Sequence, residues 1–138
     1  MSEMSGEFAR IFTLSEARTL LPELQAHFAR FAQARGATTR TVEELEELER
    51  QRTRANTLEL ARPLRMLRET LGAHAEEMRE SLRMVQDLGV VIKRLDTILI
   101  DFPSIRADRV IFLCWQEGEE TITSWHEVAD GFAGRRPL

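Results

Sequence analysis

Read from its apolar positions, the chain changes period once, at Gly89. Before that point apolar residues recur at steps of three and four, as on one stripe of a helix. After it, short runs of β-branched and aromatic residues alternate with turn signals, as in strands. The first stripe runs through Leu14, Ala17, Leu21, Leu24, Phe28 and Phe31. Thr13 with Glu16 three residues later forms a capping box, in which each side chain satisfies the other's free backbone N–H, so a helix is expected to start at Leu14. Gly36 is the expected stop, and Pro22 predicts a bend.

Thr41 and Glu44 offer a second capping box, from which a helical pattern persists to about Asp87, with Leu88-Gly89 as terminator. The first part, EELEELERQRTR, has few apolar residues besides Leu45 and Leu48 and is expected to face solvent or a partner. Farther on, Leu60, Leu64, Leu67, Leu71, Met78, Leu82 and Val85 form a richer stripe that should pack on the first helix in coiled-coil fashion. Pro63 predicts a kink near Asn56 to Arg62. The alternative is a break there, with Asn56 capping a third helix and Glu59 as its partner.

Residues 90–93, 98–102 and 109–115 read as strands, separated by Leu95-Asp96-Thr97 and by Pro103 to Asp108. The expected fold is therefore α+β and predominantly α: a long antiparallel helical hairpin with a kinked second helix, packed with a small antiparallel C-terminal β-sheet. A sheet this small needs helices on one face, which makes the chain one domain: a loose arm over 1–12, the hairpin over 13–88, and the sheet and tail over 89–138.

Composition narrows the picture. At 138 residues, 43% hydrophobic and 30% charged, the chain is long enough for a core, too apolar to be disordered and too charged to lie within a membrane. A net charge of -4 supplies no overall attraction for nucleic acid or an anionic membrane, and neither is expected as a partner. The single cysteine, Cys114, excludes an internal disulfide and four-thiolate zinc sites, and together with the absence of a leader pattern it predicts a cytoplasmic protein.

Leu99-Ile100-Asp101-Phe102-Pro103, Leu113-Cys114-Trp115, Gly118-Glu119, Trp125-His126-Glu127 and the stretch from Gly131 to Pro137 resemble, in this order, the bacterial domain-of-unknown-function family 2203. The opening Phe12-Thr13-Leu14-Ser15-Glu16-Ala17 resembles that family as well. Ile98 stands where the family pattern has a glycine, and Ala107-Asp108 where Asp-Gly is common. The resemblance implies a helical hairpin followed by such a tail and a bacterial source; it lends no catalytic residues.

The residue types suited to metal binding or acid-base work, Asp101, Cys114, His126 and Glu127, all lie in the tail. No two of the three histidines share a helical ligand spacing, and Cys114 follows four apolar residues as a core cysteine would, so no metal and no cofactor are expected. Ser124 to Glu127 also reads as a capping box opening a short helical turn, which would place His126 and Asp130 on one face. Arg109, Arg135 and Arg136 could clamp a carboxylate or phosphate, although terminal arginines are more often solvated or paired with carboxylates such as Asp101 or Asp130. Asp101, Arg109, Cys114, His126 and Arg135 are therefore the candidate ligand-binding residues, with no catalytic assignment. The functional expectation is an interaction protein, homo-oligomeric, whose amphipathic hairpin groove takes a partner protein, peptide or apolar ligand and serves a chaperone-like or stress-linked role. The alternative is a small enzyme or metal- or small-molecule-binding protein with its site in the tail.

Overall fold

A computed structural model describes residues 7–138. Helix α1 spans Leu14–Gln51 and α2 spans Thr57–Asp87; five strands follow, β1 Val91–Arg94, β2 Leu99–Arg106, β3 Arg109–Gln116, β4 Ser124–Glu127 and β5 Arg136–Pro137. They form one antiparallel sheet in sequential order. The expected α+β class, a helical hairpin with a small antiparallel sheet, is what the chain adopts.

By compactness the described residues divide into a helical unit, residues 27–83, and a sheet unit made of residues 7–26 and 84–138. In the helical unit α1 and α2 run antiparallel: Arg30 pairs with Glu77 at 2.8 Å, the Thr38 hydroxyl lies 3.5 Å from the Met78 sulfur, and Arg68 pairs with Glu49 at 2.9 Å. Phe28, Phe31 and Ala34 of α1 and Leu64 of α2 are buried.

The hairpin turn is not where Gly36 and Thr41 place it. Helix α1 continues through both, and the reversal falls at residues 52–56. Thr38 and Thr39 return their hydroxyls to the carbonyls of Ala34 and Arg35, and Thr41 is buried inside the helix, so the Thr41 box never forms. The seam explains why. Phe31, Ala34, Thr38, Thr41, Leu45 and Leu48 keep alternating steps of three and four, and Gly36 lies off that stripe.

Asn56 closes the real turn. Its carboxamide oxygen accepts from the Thr53 N–H at 2.6 Å, its amide nitrogen donates to the Gln51 carbonyl at the end of α1, and its own N–H reaches the Thr53 hydroxyl. One residue thus satisfies free groups at the end of one helix and the start of the next. The expected kink is replaced by this break, and Pro63 lies inside a continuous α2. At the other end Gly89 adopts φ +89°, the left-handed C-cap anticipated there, and a Cβ would come within 2.7 Å of Arg10 Cβ.

In the sheet unit the Thr13–Glu16 capping box forms as expected, at 2.9 and 3.1 Å. Residues 1–6 of the expected arm lie outside the described residues. Phe12, assigned to the arm, is in fact core: 1% exposed, with its N–H on the Pro103 carbonyl at 2.7 Å and its own carbonyl accepting from the Ser104 hydroxyl at 2.6 Å. Pro103 is therefore no turn residue. It sits inside β2, its hydrogen-free nitrogen facing the edge that Phe12 covers and not β3. The turn shrinks to Ala107 and Asp108, with φ of 50° and 63°, a two-residue hairpin in which neither residue is glycine.

Candidate functional site

Strand alternation sends neighbouring residues of one strand to opposite sheet faces, while directly paired residues share a face. Pairing of Ile100 with Trp115, Phe102 with Leu113, and Leu113 with Trp125 makes one face apolar. Phe12 meets Phe102 edge-on there, with ring centroids 5.4 Å apart. The other face pairs Asp101 with Cys114 and Phe112 with His126, which brings three chemically active groups into one place.

The ligating atoms of Asp101, Cys114 and His126 lie within 4.8 Å of one another. All three residues are sealed from solvent, at 1%, 0% and 2% exposure. His126 Nε2 is 3.1 Å from each carboxylate oxygen of Asp101, and Nδ1 is 2.7 Å from the Glu127 carbonyl oxygen. Phe112 packs edge-on against the imidazole, and Phe8 edge-on against Phe112.

That geometry determines the tautomer. A carbonyl only accepts, so Nδ1 carries a hydrogen and donates it to Glu127. In the neutral ring Nε2 then presents its lone pair to two carboxylate oxygens. Lone pair facing lone pairs at 3.1 Å is repulsive, so a positive centre belongs between them, either a shared proton or a metal ion. Burial pushes the Asp101 carboxyl above its ordinary range, against the opposing pull of His126, a Cys114 hydrogen bond and the Lys93 charge. The same burial, with the Asp101 charge, pushes the Cys114 thiol up to about 12 although Arg135 pulls it down. Without a cation, Cys114 is a thiol.

A cysteine nucleophile does not fit this arrangement. Both imidazole nitrogens are committed, to Asp101 and to Glu127, so neither is available as the thiol's base, and the thiol is harder to ionise than a free one. A transition-metal ion does fit. Its three donors are one thiolate, one imidazole and one carboxylate, and the second ring nitrogen is anchored on a backbone carbonyl, as metal-bound histidines usually are. A tetrahedral zinc ion with bonds of about 2.0 to 2.3 Å spaces its ligands roughly 3.3 to 3.6 Å apart, between the 3.1 Å of the His126–Asp101 pair and the 4.8 Å that bounds the whole cluster.

Arg135 lies just ahead of β5, whose Arg136 pairs with Trp125, and its charge reaches Cys114. Its Nη2 lies 2.8 Å from both Glu119 oxygens, its guanidinium stacks on Phe132 at 4.7 Å, and its Nε is buried with no acceptor. The pairing with Asp101 or Asp130 considered from sequence is replaced by this one with Glu119.

The structure thus brings together three of the five sequence candidates, Asp101, Cys114 and His126, and sets the Arg135 charge within reach of Cys114. Arg109 is not among them: it donates to the Glu127 carboxylate at the end of the sheet, on the side of Ile111 and away from Cys114. The helical turn expected from Ser124 to Glu127 is strand β4, which turns His126 toward Asp101 and not toward Asp130. Glu119, absent from the candidates, is bound to the Gln116 N–H at 2.7 Å as well as to Arg135. Its place next to Gly118, which has φ +104°, was the available signal.

The match of residues 10–138 to the model of the uncharacterized conserved protein family DUF2203 shows that the chain belongs to that family. No curated protein and no solved structure matches the chain. Among the described residues no helix is long and apolar enough to cross a membrane.

Proposed function

We propose that the protein binds a thiophilic divalent transition-metal ion, zinc foremost, through Asp101 of β2, Cys114 of β3 and His126 of β4. The observation that carries this reading is the imidazole whose Nδ1–H is committed to the Glu127 carbonyl while Nε2 faces both Asp101 oxygens at 3.1 Å. A cation there replaces a repulsion by three bonds, and it neutralises a buried carboxylate and a thiolate together. Such an ion would tie three strands into one clamp. The reading gives the tail alternative its concrete form, and a thiolate ligand suits the reducing cytoplasm.

Cobalt(II) provides the test. Titration should give one equivalent of tetrahedral d–d bands and a thiolate-to-cobalt charge-transfer band, displaced by zinc, with Cys114→Ser losing the charge transfer and Asp101→Asn weakening affinity. Cobalt spectra identical to those of the hexaaquo ion in a folded protein would defeat the reading.

A second reading, self-association through the helical unit, rests on a different observation. A groove of about 610 Å³ is floored by Leu48 and Leu67 and walled by Glu43, Glu44 and Glu47. On α2 of the same unit, Leu58 and Met66 are 91% and 53% exposed beside Arg62 and Arg65. A second copy offers apolar residues for the Leu48–Leu67 floor and basic ones for the three glutamates, which outnumber the groove's one cation, Arg40. A mass independent of concentration across a hundredfold dilution, unaltered by Leu58→Glu, would refute it.

A further inference from the structure

Resting on the metal reading, we infer that the ion's fourth position is taken by a small oxyanion, a carboxylate or phosphate group, held by Arg135. Asp101, Cys114 and His126 supply three ligands, one short of the four that zinc usually takes, and a three-ligand protein site leaves its last position to water or to an exogenous donor.

Two observations select an anion over water. The first is position: Arg135 directly precedes the Arg136 that pairs with Trp125, and its charge reaches Cys114, so a cation fixed in the fold lies close to the proposed metal ligands. The second is an unmet valence. Arg135 is tied by Nη2 to Glu119 and backed by the Phe132 ring, yet its Nε–H is buried with no acceptor. Buried guanidinium hydrogens are seldom left so, and in this setting the missing partner is an oxygen. One oxyanion bridging metal and Nε fills both deficits, with charge-assisted geometry that a lysine could not reproduce.

Access and charge agree. Asp101, Cys114 and His126 are sealed, whereas the Arg135 and Glu119 side chains retain 16% and 27% exposure, so a small anion can reach Arg135 from solvent. A zinc-class ion with one carboxylate and one thiolate is neutral, and Arg135 is already offset by Glu119. A single further anion on the metal is therefore accommodated without stacking several negative charges.

The test uses the whole cobalt-loaded protein, with acetate and inorganic phosphate as probes. Each should move the d–d bands saturably, and comparing the two shows which oxyanion the site prefers. Arg135→Gln should weaken that response about tenfold or more, the loss of one charge-assisted contact, while cobalt affinity stays within about twofold. Arg135→Lys should restore it only in part, and Arg136→Gln, on the opposite face over Trp125, should leave it unchanged. An anion response equal in Arg135→Gln and the unaltered protein overturns the inference, as does no response at tens of millimolar anion. Loss of cobalt binding in a folded Arg135→Gln also overturns it, by making Arg135 a support of the three ligands and not a holder of the anion. Absence of cobalt binding in the unaltered protein removes the metal reading and this inference together, whereas bound cobalt indifferent to anions removes only the latter.

Discussion

The two faces of one sheet, built by alternate residues of the same strands, have opposite chemistry. One face presents Ile100, Phe102, Leu113, Trp115 and Trp125 and is held by burial of apolar surface. The other presents Asp101, Cys114 and His126, equally buried but joined by a polar contact between His126 and Asp101. Sealing is thus not what separates core from site here. The difference is that the first face is complete as it stands, while the second has a lone-pair arrangement that requires a positive centre.

The comparison breaks most readily on the apolar face. Phe102 is fully buried against Phe12, so Phe102→Ala should cost about 3–5 kcal/mol, read as a lowered urea midpoint. A loss under 1 kcal/mol would mean that this face is not the main support of the sheet unit. The polar face should instead respond to ligand. Zinc at a hundred times its dissociation constant should raise stability by about 2.7 kcal/mol in the unaltered protein and by far less in Asp101→Asn. Equal shifts in the two proteins would place the zinc elsewhere.

Acidity sharpens the contrast further. Asp101 is raised above its ordinary 3.8 by burial, so in the metal-free protein the native state holds its proton more tightly than the unfolded chain does. Its contribution is fully present below about pH 3.8 and is lost as pH rises through the higher native value. Asparagine does not titrate. Relative to Asp101→Asn, the unaltered protein should therefore lose stability with rising pH over that window, whereas Phe102→Ala should run parallel to it. A pH-independent difference from Asp101→Asn would show that Asp101 is not perturbed. The smallest effect belongs to neither face. Ala107 and Asp108 hold positive φ at a cost that glycine avoids, so Asp108→Gly should gain about 0.5–1 kcal/mol. A destabilised Asp108→Gly would show that its side chain contributes to the turn.

What was legible in the sequence follows the range of the forces involved. The Thr13 cap and the Gly89 stop depend on neighbours a few residues away, and each forms as its residues predict. Gly36 and the Thr41 box are equally local signals, but the seam outranks them: Ala34, Thr38 and Thr41 are small residues that continue the stripe without looking apolar enough to mark it. Ser124 to Glu127 failed for a related reason, since pairing with Cys114 to Ile111 from elsewhere in the chain overrode a local helical pattern.

The site itself was half visible. Its residue types drew notice, but their meeting depends on register, and taking Pro103 to Asp108 as one long turn hid it. Had Ala107-Asp108 been read as a two-residue hairpin, counting outward from it would have set Asp101 directly against Cys114. The place of His126 required β4, for which the composition offered no strand signal stronger than its capping motif.

The position of Cys114 has an experimental consequence. It is the chain's sole sulfhydryl, wholly enclosed mid-strand in the central β3, and reluctant to ionise there. An alkylating reagent can therefore label it only during excursions that part the sheet, so the labelling rate counts those excursions without any engineered probe. Slow labelling at neutral pH that quickens with mild urea would map the free energy of sheet opening, separately from unfolding of the helical unit.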